Sequence, residues 1–145
     1  MLRVAFVLFL LSIYSSLLAQ TSTLKLVITN LDNNEGLINV AIYSEENKVF
    51  FPKNPDSAFI KKNIEIRNKK GLVVFSNIPY GTYAVSVFHD ENNNGKIDRT
   101  FIGFPSEAFG ISGDKFVFGP PKFEDGKFHL NSKERLILIK MKSFF

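Results

Sequence analysis

Apolar and polar residues alternate with a period of two along several short stretches, separated by clusters of glycine, proline and asparagine. Leu24, Leu26 and Ile28 alternate with Lys25, Val27 and Thr29, which places the first three on one face of a strand. Asn30 to Gly36 reads as a turn, and Ile38, Val40 and Ile42 continue the alternation, so the first two strands are expected to form a hairpin. Periodicity is lost from Ser44 to Ser57, where Asn54, Pro52, Pro55 and Asp56 mark a loop. Phe50 and Phe51 inside that loop are expected to plug the open end of a core. Ile64 and Ile66 alternate with Glu65 and Arg67, Asn68 to Gly71 turns the chain, and Leu72 to Phe75 gives a fourth strand. Tyr83, Val85 and Val87 share one face of a fifth. Lys127 to Leu130 and Arg135 to Met141 are expected to close the fold as a final hairpin, turning at Asn131 to Glu134.

Between these elements the connection from 90 to 126 runs about 37 residues with little strand pattern, whereas unstructured loops beyond roughly 12 to 15 residues are uncommon in compact domains. It is too apolar for a solvated tail: Phe101, Ile102, Phe104, Phe109, Ile111, Phe116, Val117 and Phe118 imply that it packs on the rest. The sequence contains no convincing internal repeat and no amphipathic helix of normal length.

The first residues form a separate unit. Met1-Leu2-Arg3 supplies one positive charge, Val4 to Leu18 is almost wholly apolar, and Ala19-Gln20 precedes polar residues, the layout of a signal peptide cleaved after Ala19. An apolar run of roughly fifteen residues is short of the ~20 that span a bilayer as a helix. The expected organisation is therefore a signal peptide over 1–19 and one domain over 20–145, exported to the periplasm or the cell exterior without stable membrane insertion. The 145-residue chain has 0 cysteines, which excludes a disulfide framework, a lipidated cysteine, thiol catalysis and thiolate zinc sites. Its formal net charge of +4 comes from scattered Lys and Arg with no recognition motif, so no nucleic-acid partner is expected.

Chemistry concentrates in His89-Asp90-Glu91-Asn92-Asn93-Asn94-Gly95-Lys96-Ile97-Asp98. With Asp90 as position one, Asn92 is at three, Asn94 at five, Gly95 at six, Lys96 at seven and Asp98 at nine, the register of an EF-hand-type calcium loop. Short side chains at alternate positions can turn their oxygens inward, glycine permits the bend, and position seven needs only a backbone carbonyl. The donors are all hard oxygens, which suits calcium better than zinc. Phe101 stands at position twelve, where a bidentate glutamate is expected, so the loop alone is incomplete. Glu107 is the first candidate for the missing ligand and Asp114 the second. So few charges imply weak binding, on the order of 10⁻⁴ to 10⁻³ M. The alternative is a metal-free turn, because asparagine and aspartate beside glycine also form ordinary turns through their own backbone. His89 is expected to cap the end of a core face, and His129 to face solvent.

Two phrases resemble known families. Phe75-Ser76-Asn77-Ile78-Pro79-Tyr80-Gly81-Thr82-Tyr83 resembles the corner of transthyretin-like and carboxypeptidase-regulatory-like β-sandwiches. Asn77 to Asp98, followed by Gly103-Phe104-Pro105-Ser106-Glu107-Ala108-Phe109-Gly110, resembles an exported bacterial family known as domain of unknown function 2141, with similarity from Leu24 to Met141. The resemblance implies an exported β-sandwich typical of Bacteroidetes-like bacteria, pairs Glu107 with the loop as a signature element, and transfers no catalytic residue. The expected fold is all-β: a single antiparallel immunoglobulin-like or transthyretin-like sandwich of about seven strands with one long loop.

The expected function is a non-enzymatic binding or accessory module of the envelope or exterior, probing an unidentified protein or carbohydrate ligand and binding calcium weakly. Its rivals are a metal-free structural or adhesive domain, and a hydrolase using Asp90 and Glu107 as paired carboxylates. No Gly-x-Ser-x-Gly nucleophile motif or histidine cluster supports the hydrolase.

Overall fold

The computed structural model describes residues 20–113 and 119–143. The expected signal peptide over 1–19, the candidate ligand Asp114, and Phe116, Val117 and Phe118 lie outside these residues. Among the described residues eight strands are formed: β1 (Thr21–Thr29), β2 (Leu37–Ser44), β3 (Ile60–Ile64), β4 (Gly71–Pro79), β5 (Gly81–Asp90), β6 (Phe109–Ile111), β7 (Phe128–Leu130) and β8 (Glu134–Lys140), with 3-10 turns at Lys48–Phe50 and Pro55–Ser57 and one turn of α-helix, α1 (Phe123–Gly126). They make two facing sheets, one ordered β4-β1-β8 and the other β3-β2-β5-β6, in which β7 also pairs with β5. The fold is thus an all-β sandwich, with eight strands among the described residues.

Its core is the set that alternation marked. Leu24, Leu26 and Ile28 of β1 pack from one sheet against Ile38, Val40 and Ile42 of β2 and Tyr83, Val85 and Val87 of β5 from the other. Strand β2 is buried on both faces. On its outer side Ala41 and Tyr43, with Ala84 of β5, lie beneath Phe51 and Phe123. Phe51 meets the Tyr43 ring edge-on at 5.2 Å between centroids and the Phe123 ring at 6.1 Å. Phe51 therefore covers the outside of a sheet rather than the open end of the core, and Phe50 stays exposed.

Two expected hairpins are replaced by crossings between sheets. β1 pairs antiparallel with β4 and parallel with β8, while β2 pairs with β3 and β5. The turn after β1 carries the chain across the core, with Leu31 buried on the way. β7 joins β5 and β8 joins β1, so the last two strands also lie in opposite layers and one pair of the sandwich is parallel. The physical reason is shared: period two fixes which face of a strand is buried but not which neighbour it takes. Opposite layers bury both apolar faces against each other.

The far edge of β5 is covered piecewise. β6 pairs with Ser86 to Phe88 and β7 with Gly81 to Tyr83. Between them buried Ser112 fills the gap: its N–H donates to the Val85 carbonyl at 2.9 Å, and its hydroxyl accepts from the Val85 N–H at 2.7 Å. That hydroxyl donates in turn to the Gly126 carbonyl at 2.6 Å. The long connection is thereby laid back along the central strand from Phe109 to Ser112, whereas Phe101, Ile102 and Phe104, expected to pack on the rest, are exposed, because the turn that carries them stands off the sandwich.

Leu26→Ala is expected to lower the unfolding free energy by about 2–5 kcal/mol in urea titration, the cost of a cavity in a packed core. Leu136→Ala, on the exposed face of β8, is expected to change it by about 0.5 kcal/mol or less. Equal losses at the two sites would sink the assignment of faces.

Candidate metal centre

Strand β5 delivers the loop. Its alternation turns His89 into the core and Asp90 to the opposite face, beside Asn39 of the adjacent strand β2. His89 is fully buried and donates from Nε2 to the Glu35 carbonyl at 2.7 Å, while Nδ1 lies 3.5 Å from Glu91 Oε1, too far for a good hydrogen bond. The expected cap on the core face is thus present. His129 is exposed on β7, with Nδ1 2.9 Å from the Thr82 hydroxyl near the opposite end of β5. The two histidines are not brought together.

Asp90 is 2% exposed and organises the first half of the loop. Its Oδ1 accepts the Asn94 N–H at 3.0 Å and its Oδ2 the Gly95 N–H at 2.8 Å, with the Asn39 carboxamide a further donor at 3.4 Å. The bend requires left-handed backbone at Asn93 (φ 59°) and Gly95 (φ 76°), conformations that asparagine and glycine tolerate best. Asn92 Oδ1 accepts the Asn94 N–H at 3.1 Å, and Asn94 Oδ1 accepts the Lys96 N–H at 2.8 Å.

Asp98 closes the second half. Its carboxylate accepts from the Asn92 carboxamide at 2.6 Å and from the Asn94 carboxamide at 2.9 Å. The three side chains expected at positions three, five and nine therefore converge on one another. Lys96 points its side chain into solvent, as position seven permits.

Glu107 reaches the loop from the far side of the connection. It is 6% exposed, and its two oxygens accept the Glu91 N–H at 3.0 Å and the Asp98 N–H at 2.9 Å. The Ser106 N–H donates to the Asp98 carbonyl at 2.9 Å. The expected association of Glu107 with the loop is present, but its bonds run to backbone N–H groups at the two ends of the loop. Among the described residues no three histidine or acidic side chains form a group that could hold a metal ion. The carboxylates of Asp90, Asp98 and Glu107 each hold N–H donors instead.

What the arrangement can do chemically turns on Asn92 and Asn94. A carboxamide rotated about its terminal bond exchanges nitrogen for oxygen at nearly the same place. Rotating both would set two amide oxygens beside the Asp98 carboxylate, at the cost of the bonds that those oxygens now make to the Asn94 and Lys96 N–H groups.

Sequence reasoning missed three supporting residues. Asn39 interrupts an apolar strand, a signal that was available. Glu35 contributes only its carbonyl, which leaves no trace in side-chain chemistry. At Gly36 (φ 67°) a Cβ would stand 1.9 Å from the Asp90 carbonyl oxygen, so the first turn can lie against the loop only with glycine there.

The model of a bacterial protein family, described as an uncharacterized protein conserved in bacteria (domain of unknown function 2141), matches residues 26–137, and the chain belongs to this family. No curated protein matches it. Among solved structures, a fimbrial assembly protein from Parabacteroides distasonis is similar over 86% of this chain, with 10% sequence identity and a TM-score of 0.45. The chain covers 53% of that protein, about half its length.

Glu107→Gln keeps the side-chain shape but sets an NH2 group against a backbone N–H. A stability loss of about 1–3 kcal/mol is expected, with faster amide hydrogen exchange at Glu91 and Asp98 and none at Val85. Unchanged exchange at those two amides would show that Glu107 does not hold the loop.

Proposed function

We propose that this family member is an exported, non-enzymatic β-sandwich module of the periplasm or cell exterior, a binding or accessory protein whose Asp90–Asp98 loop takes calcium weakly. The observation that carries the reading is the convergence of the Asn92 and Asn94 carboxamides on the Asp98 carboxylate. Two amide rotations convert this self-bonded group into a set of hard oxygens suited to calcium, and the Lys96 carbonyl occupies the position that an EF-hand-type loop uses for a backbone ligand. Glu107 holds the loop ends, which keeps the site ordered before an ion arrives. The ion must replace two amide donors and two backbone bonds, so its net affinity is low.

Export rests on the charged, apolar and small-residue order of the first 19 residues. A binding role is supported by the outer face of the three-stranded sheet, where Leu72 and Val74 of β4 and Leu136 and Leu138 of β8 are exposed on either side of β1. The second reading, a metal-free structural or adhesive domain, is favoured by one observation: the loop's side chains already satisfy one another without an ion.

Calorimetric titration is expected to give one calcium site with a dissociation constant on the order of 10⁻⁴ to 10⁻³ M. At about 10 mM calcium the ion should then add about 1.4–2.7 kcal/mol to stability, seen as a higher melting temperature than in chelator. Asp98→Ala should abolish both responses. Identical melting in calcium and chelator, with no binding heat, rejects the ion and leaves the self-bonded turn.

A further inference from the structure

We propose that the turn from Thr100 to Pro105, at the outer end of the long connection, is a shallow anchor that docks on the surface of an anionic lipid bilayer through Phe101 and Ile102. Phe101 is completely exposed and Ile102 is 73% exposed, adjacent in sequence at the tip. They are not on a slack segment. The Thr100 N–H donates to the Phe104 carbonyl at 2.7 Å, the Gly103 N–H to the Thr100 carbonyl at 2.8 Å, and the Arg99 guanidinium to the Gly103 carbonyl at 2.9 Å. Gly103 takes φ 88°, which lets the chain double back within four residues. A hydrogen-bonded turn therefore holds two large apolar side chains in water, the arrangement expected where a surface makes contact with something else.

The shape and charge of this turn select the partner. A convex tip of two side chains is far below the roughly 1,200 Å² of a stable protein interface. It fits the headgroup and acyl boundary of a bilayer, where apolar side chains enter only about 5–10 Å. Lys96 and Arg99, on the stem of the tip, are exposed, and among the described residues neither forms an ion pair. Nearby Asp90, Asp98 and Glu107 have their oxygens turned to N–H donors within the loop. Glu35 is exposed and Glu91 half-buried, but both lie at the β5 end of the loop, beside His89, so the exposed charges on the stem of the tip are Lys96 and Arg99, complementary to anionic headgroups. The inference stands whether or not the loop takes an ion.

The chain has 0 tryptophans, so Phe101→Trp installs a single emission probe at the tip. The variant, purified after processing by an exporting bacterial host, is mixed in chelator with vesicles of phosphatidylglycerol and phosphatidylethanolamine, or of phosphatidylcholine alone. The expected result is a blue shift on the anionic vesicles and partition about tenfold stronger than on the zwitterionic ones. Adding Ile102→Ser or Lys96→Gln should weaken that partition several-fold while leaving the melting temperature within a few degrees, since all three side chains are exposed. No blue shift on anionic vesicles, equal partition on both compositions, or no response to Ile102→Ser overturns the proposal. So does a photo-crosslinker at position 101 that traps a protein while vesicles leave the emission unchanged.

Discussion

Two carboxylates withdrawn from water, those of Asp90 and Glu107, fix the geometry on which the functional end of this sandwich depends. Burying a carboxylate is costly unless its oxygens find donors, and here each of the four oxygens receives a backbone N–H. Asp90 folds the loop's first half over the end of β5. Glu107 ties both ends of the loop to the returning strand of the long connection. The same residues therefore meet a structural requirement that holds with or without an ion, and any ion affinity is built on top of it.

Further along β5 the connection is secured differently. Ser112 stands in for a missing stretch of sheet edge, giving Val85 a donor through its backbone N–H and an acceptor through its hydroxyl where neither β6 nor β7 reaches. Gly36 and Glu35, from the turn after β1, press against the other side of the loop through a backbone contact and a bond to His89. The candidate site is held by three separate parts of the chain, although its side chains come from one short run and from Glu107.

This explains what was legible in the sequence. Leu24, Leu26, Ile28, Ile38, Val40, Ile42, Tyr83, Val85 and Val87 announce their buried faces because alternation is a local property. Strand pairing is not local, so Asn30 to Gly36 and Asn131 to Glu134 looked like hairpin turns and are crossings between layers. Within the site, the spacing of Asn92, Asn94 and Asp98 marks three side chains that meet, whereas Asp90 turns to the Asn94 and Gly95 N–H groups and Glu107, expected as the missing ligand, holds the Glu91 and Asp98 N–H groups. The direction of each polar contact was beyond reach. An asparagine carries a donor and an acceptor on one carboxamide, and only the folded loop decides that Asn92 and Asn94 offer nitrogen to Asp98.

That choice also governs how an ion and the rest of the module could communicate. Asp98 is the shared member: its carboxylate meets the carboxamides, its N–H meets Glu107, and its carbonyl accepts from Ser106. Arg99, the next residue, reaches to Gly103 and sets the turn that displays Phe101 and Ile102. An ion bound beside Asp98 would act on a residue already bonded to the tip's closing strand, so its binding free energy can bias the tip only as far as Asp98 shifts between the two states. Because Glu107 holds the Asp98 N–H in place, the change that an ion would require falls on the Asn92 and Asn94 carboxamides and not on the Asp98 backbone.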